Sequence, residues 1–134
     1  MITANSNDTA LQQLITLEKQ VRDFGFNWPD IPTILRQAES ECAEIEEVLE
    51  KQESSERLQE EISDLLHTAI SLCLFAGFSV EETLANVVKK FGGRMAKVQI
   101  LAEQQGLSTL QGQSFEFMLT LWDKAKKHSS KVDL

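Results

Sequence analysis

A chain of 134 residues with 42% apolar and 25% charged residues is one domain by size, with enough apolar content for a core. Its formal net charge of −8 argues against duplex nucleic acid or an anionic membrane as partner, because both require a basic footprint. The longest apolar run, roughly 69–78, is too short to span a bilayer, and residues 1–8 lack the basic-then-apolar pattern of a signal peptide. A cytoplasmic protein is expected.

Residues 1–7 are polar and expected to be flexible, as are residues 128–134. Asp8 is positioned to cap a first helix carrying Leu11, Leu14, Ile15, Leu17, Val21 and Phe24, with Gly25 as its stop. After the turn Phe26-Asn27-Trp28-Pro29, Asp30 caps a second helix with Pro32 in its first turn, running to about Gln52. Glu53-Ser54-Ser55 breaks it, and Ser54 or Ser55 opens a third helix reaching Gly77. Ser79-Val80-Glu81-Glu82 reads as a capping box for a fourth, which Gly92-Gly93 should kink or loosen before it resumes through Gln104. A loop over 106–112 follows, and Ser114 caps a last helix to about Lys127. No run of strand period competes, so the fold class is all-α, an antiparallel bundle of four to five helices. Cys42 and Cys73 fall in apolar helical runs and read as small buried residues of a reducing compartment, not as a disulfide.

The chemistry concentrates in two acidic pairs. Glu41 and Glu44 lie on the second helix and Glu61 and Asp64 on the third, each pair three residues apart, so each points two carboxylates the same way. A glutamate-rich helix is usually a solvated face, and Glu39, Glu46, Glu47 and Glu50 fit that description. Glu41, however, falls inside the apolar arc of Ile34, Ala38, Cys42, Ile45, Val48 and Leu49, and Glu44 lies at its edge. On the third helix the arc is Leu58, Ile62, Leu65, Leu66, Ala69, Leu72 and Cys73, with Glu61 flanking it and Asp64 further out. A short connection makes the helices antiparallel neighbours, and four converging carboxylates require a cation. A hard divalent ion, Mg2+ with Mn2+ as the alternative, and phosphate chemistry follow. Lys90 and Arg94, one turn apart, and Trp122 and Lys126, likewise one turn apart, are candidate phosphate and nucleoside contacts. Residues 70–78 are apolar nearly all round, so a homo-oligomer, dimer or tetramer, is expected to cover them.

These residues carry a resemblance. Gly25-Phe26-Asn27-Trp28-Pro29-Asp30, Glu41-Cys42-Ala43-Glu44, Glu61-Ile62-Ser63-Asp64, Lys90-Phe91-Gly92-Gly93-Arg94 and Leu121-Trp122-Asp123-Lys124-Ala125-Lys126 together resemble a MazG-type nucleoside triphosphate pyrophosphohydrolase. The likeness covers roughly residues 11–127 and is greatest to the catalytic C-terminal domain of the two-domain bacterial enzymes. It implies an oligomeric all-α enzyme that uses Mg2+ to hydrolyse nucleoside triphosphates to monophosphate and pyrophosphate. By motif, Glu41, Glu44, Glu61 and Asp64 would be the catalytic metal ligands, Lys90 and Arg94 would hold phosphates, and Trp122 and Lys126 would line the nucleotide site. The chain departs from the family pattern at Ser40, at Gly92-Gly93 and at His67. The alternatives are a non-catalytic nucleotide-binding or interaction protein on the same bundle and a narrow dUTP, dCTP or modified-nucleotide pyrophosphatase. A carboxylate-bridged di-iron bundle, prompted by Asp64 and His67, would need a second histidine, and His128 is the only other one.

Overall fold

The computed structural model describes the backbone of residues 1–132 and the side chains of residues 1–127. The flexibility expected of 128–134 therefore lies outside the described side chains. Five helices follow in order, α1 (Ala10–Phe24), α2 (Ile31–Glu50), α3 (Ser55–Phe75), α4 (Val80–Gln104) and α5 (Phe115–Val132), with no strand among the described residues. They fall into two compact units, Met1–Val80 and the chain from Glu81 onward. No single helix is long and apolar enough to cross a membrane.

In the first unit the helix ends are set by side chains. Thr9, not Asp8, caps α1: its hydroxyl accepts from the Gln12 backbone, and the Gln12 side chain accepts from the Thr9 N–H. The cap sits one residue later because that reciprocal box needs a Thr at N-cap and a Gln at N3, which Asp8 cannot pair. Upstream, the Gln20 side chain exchanges two hydrogen bonds of 2.7 Å with the backbone of Thr3. Asp30 caps α2 through the Thr33 N–H at 2.8 Å, and Ser54 caps α3 through Arg57 at 3.3 Å.

α2 and α3 pack along one another as a hairpin. The reversal is a Schellman closure in which Glu53 N–H reaches the Val48 carbonyl at 3.0 Å and Gln52 N–H reaches Leu49 at 3.2 Å. Gln52 occupies the left-handed position, φ 52°, that glycine fills at the ends of α1 and α3. α2 thus ends at Glu50, two residues short of the expected Gln52.

The buried line of this unit is unusual in composition. On α2 it is Ile34, Glu41 and Val48, seven residues apart; on α3 it is Glu61, Thr68 and Ser71. Leu65 is half-buried, but Ile62, Leu66 and Ala69 of the expected core arc are exposed, Leu66 by 61%. The arc is rotated because Glu61, not Ile62, faces α2. Cys42 is likewise exposed, on the stripe that includes Leu35 and Leu49, and Cys73 is half-buried; both thiols are free.

In the second unit Val98, Ala102, Leu121 and Ala125 form the buried core, with Leu101, Leu107, Leu110, Phe117 and Trp122 against it. Ser114 accepts from the Phe117 N–H at 3.1 Å and opens α5. Gly92-Gly93, expected to kink or loosen α4, do not interrupt it. α4 runs helical through both glycines, whose missing Cβ atoms face open space, so neither relieves a clash. A cost of about 1 kcal/mol per glycine is too small to break a helix of 25 residues.

A left-handed non-glycine residue costs about 1–2 kcal/mol. Gln52→Gly should therefore stabilise the protein by about 1 kcal/mol in urea unfolding, with an unchanged m-value.

Candidate metal centre

The hairpin turn brings the two acidic pairs together. One carboxylate oxygen from each of Glu41, Glu44, Glu61 and Asp64 lies within 4.8 Å of the others. Glu41 and Glu61 are buried, at 7% and 6% exposure, while Glu44 and Asp64 are exposed at the mouth. Two acids therefore sit beneath and two above, a depth difference that follows from helical spacing: residues 41 and 61 lie on the facing lines and 44 and 64 one turn on.

Each buried acid is anchored at one oxygen by a donor one turn earlier on its own helix. Gln37 Nε2 donates to Glu41 Oε1 at 2.6 Å, and Arg57 Nη2 donates to Glu61 Oε1 at 2.8 Å. Arg57 Nη1 also pairs with Glu60 at 2.9 Å, which steadies the guanidinium. The other oxygens, Glu41 Oε2 and Glu61 Oε2, are buried and accept nothing. An orphaned buried carboxylate oxygen is costly, and two in one cluster mark a place shaped for a cation.

The acids also act on each other. Hydrogen bonding to the Glu61 carboxyl, then to that of Glu41, lifts Glu44 from an ordinary 4.5 to about 7, and the negative charge of both adds to this. Without a cation, the cluster relieves its repulsion by keeping a proton on Glu44. A cavity of about 230 Å³ bounded by Glu44, Glu47, Glu53, Arg57 and Glu61 opens onto this spot. Gln37 and Arg57 were missed in the sequence; their i−4 spacing from Glu41 and Glu61 is the signal that could have found them.

The candidate contacts of the second unit gather around one ring. The Arg94 guanidinium lies 5.4 Å from the centroid of Trp122, and Phe91 packs against the same ring at 6.1 Å. Arg94 Nε is buried and makes no hydrogen bond. Lys90 and Lys126 are exposed. His67 does not serve the acidic cluster. Its Nε2–H donates to Glu18 Oε1 on α1 at 2.8 Å, which removes the motive for a di-iron site, and the side chain of His128 lies outside the described residues.

Known proteins are similar to this chain. The MazG nucleotide pyrophosphohydrolase domain matches residues 31–99, the segment that holds all four acids together with Lys90 and Arg94. The nucleoside triphosphate pyrophosphohydrolase/pyrophosphatase MazG of Thermotoga maritima is 30% identical over 117 residues, covering 87% of this chain and 44% of that protein. The nucleoside triphosphate pyrophosphohydrolase of Escherichia coli K12 is 25% identical over 126 residues, covering 93% and 47%. The chain spans slightly less than half the length of these curated relatives. With a matching segment that takes in half of its residues and an acidic quartet, two of its members buried, within that segment, the chain belongs to the MazG nucleotide pyrophosphohydrolase domain family.

Proposed function

We propose that this chain hydrolyses nucleoside triphosphates to the monophosphate and pyrophosphate with the help of a divalent ion, Mg2+ or Mn2+, and so serves upkeep of the nucleotide pool. The observation that carries the reading is the pair of buried, unpartnered Oε2 atoms of Glu41 and Glu61 inside a four-carboxylate cluster. The donor set is all carboxylate oxygen, which suits a hard cation and not a thiolate- or imidazole-seeking one. When bound, such an ion neutralises triphosphate charge and makes water a nucleophile near neutral pH.

The chain's own residues have separable tasks in this reading. Glu41 and Glu61 would hold the ion, and the anchors on their Oε1 atoms fix the rotamers so that the site is formed before substrate arrives. Asp64 and Glu44 complete the set from the mouth. Glu44, with its affinity for a proton near neutrality, is the acid best suited to take one from the attacking water. Lys90, Arg94, Trp122 and Lys126 are proposed as substrate contacts, with Arg94 held in place by its stacking on Trp122. The reaction breaks the bond to the β-phosphate and leaves pyrophosphate, so its product distinguishes it from simple phosphate release.

The same reading includes a homo-oligomer. Leu35 and Leu49 on α2 and Ile62 and Leu66 on α3 are exposed, while the buried apolar side chains of this unit, among the described residues, are Ile34, Val48 and Val80. A hairpin with so thin a core needs further apolar surface from a second copy.

Purified protein with Mg2+ should release pyrophosphate from nucleoside triphosphates, and chelation should abolish this. Glu61→Gln and Asp64→Asn should each lower kcat at least a hundredfold with the fold retained by circular dichroism; a loss under tenfold would remove these residues from the metal site.

The proton on Glu44 also dictates a pH trend. A carboxyl with a raised folded pKa stabilises the protein fully below its ordinary 4.5, and that contribution is lost as pH rises through about 7. Metal-free protein should therefore lose thermal stability between pH 5 and about 7.5 relative to Glu44→Gln, and Mg2+ should raise Tm more at the upper pH than at the lower. Light scattering after size exclusion should give a dimer or tetramer mass, with Leu66→Glu shifting it toward the monomer.

A further inference from the structure

The two buried acids of the hairpin are anchored alike in geometry and unlike in charge. Each accepts at Oε1 from a side chain four residues earlier on its own helix, so the two anchors occupy equivalent places. Gln37 is a neutral amide. Arg57 instead brings a full positive charge to 2.8 Å from a carboxylate whose other oxygen is buried and unpartnered. The amide at Glu41 shows that orienting a buried acid here needs no charge. The charge at Glu61 therefore has a further consequence, and it opposes any cation that the acids hold.

Arg57 is also an anchor with somewhere else to go. Its guanidinium is shared, with Nη2 on Glu61 and Nη1 on Glu60 at 2.9 Å. The side chain of Glu60 is 64% exposed and that of Arg57 43%, so both have room to rearrange. Arg57 stands on the wall of the cavity that opens onto the acidic spot, where the other charged side chains among the described residues are Glu44, Glu47, Glu53 and Glu61. A positive charge is thus lodged among the acids, with a solvent-facing carboxylate beside it to receive it.

We propose that Arg57 is a positioning residue that serves as a resident counter-ion, neutralising Glu61 in the metal-free protein and passing to Glu60 when a divalent ion is held. A like charge so near a ligand carboxylate keeps affinity for the bare ion low. A triphosphate brings negative oxygens of its own, so ion and nucleotide are held firmly together and the ion alone weakly. The inference rests on the metal reading of the four acids and adds a rule to it: the ion arrives with substrate, not before.

The test is a titration with Mn2+ alone, without nucleotide, followed by the electron paramagnetic resonance of the free ion. Arg57→Gln copies the Gln37 anchor and removes the charge, and should bind Mn2+ about tenfold more tightly than wild type. Arg57→Lys keeps the charge and should stay within about twofold of wild type. Glu60→Gln removes the carboxylate that receives Arg57 and should weaken Mn2+ binding severalfold. In the Arg57→Gln background the same change should have almost no effect, and that non-additivity separates a hand-over from a general loss of negative charge. Metal-free Arg57→Gln should also have a lower Tm than wild type and gain more from Mn2+.

Equal or weaker Mn2+ binding by Arg57→Gln, with helicity retained by circular dichroism, would make Arg57 a simple rotamer clamp. That result would overturn the proposal and leave the metal reading standing. Gln37→Lys, which sets a charge at the equivalent anchor of Glu41, should weaken Mn2+ binding about tenfold and serves should Arg57→Gln not fold. An unchanged affinity there would also overturn the proposal. Mn2+ binding that Glu61→Gln leaves untouched would overturn the metal reading and the proposal together.

Discussion

Two carboxylates facing each other across a helical hairpin govern this molecule. Glu41 and Glu61 are less than a tenth exposed, and burying ionised acids costs several kcal/mol each unless they are paired. The chain meets half of that demand itself, through Gln37 on one side and Arg57 on the other, and leaves the second oxygen of each acid open. Full satisfaction would have been straightforward, since a further lysine or arginine one turn away would suffice. The half-measure orients the acids while leaving one oxygen of each without a donor, an arrangement compatible with a cation.

That constraint propagates into the packing. With Glu61, Thr68 and Ser71 on the facing line of α3, the apolar residues of the helix are displaced sideways to Ile62, Leu66 and Ala69. The first unit thus buries polar groups inside and carries apolar stripes outside, the reverse of an ordinary globular hairpin. Hydrogen bonds keep the inner line tolerable: Thr68 donates back to the Asp64 carbonyl at 2.9 Å, and Ser71 donates to Glu18. The outer stripes are the cost of that inner line.

This inversion explains what could and could not be read from the residues. Caps were legible at Asp30, Ser54 and Ser114, because the capping bond is local, and one residue out at α1, where Thr9 and not Asp8 has the Gln partner. The four acids were legible because a three-residue spacing on two helices with a tight turn leaves little geometric freedom. The turn of α3 was not: periodicity reports which face is apolar, and burial in one chain depends on what that face meets. Cys42 was misplaced with it, being part of an apolar stripe that turned out to be exposed. The unbroken course of α4 through Gly92-Gly93 was missed because helix propensity is weaker than the packing of the Val98 and Ala102 face on α5. The pairing of Glu18 with His67 and Ser71 joins α1 to α3, and contacts 49 and 53 residues apart leave no local pattern.

The same device recurs within the first unit, and the comparison shows what decides its use. Glu18, Glu41 and Glu61 each have one oxygen anchored and the other unanchored. Around Glu41 and Glu61 the neighbours are Glu44 and Asp64, so the local field is strongly negative and favours a cation or the proton kept on Glu44. Around Glu18 the neighbours are Arg22, His67, Ser71 and aromatic carbon, so the charge is already compensated. A second full cation would find little attraction there. The identical half-anchored acid thus stands in a strongly negative field in one place and among compensating groups in the other, according to the residues that surround it.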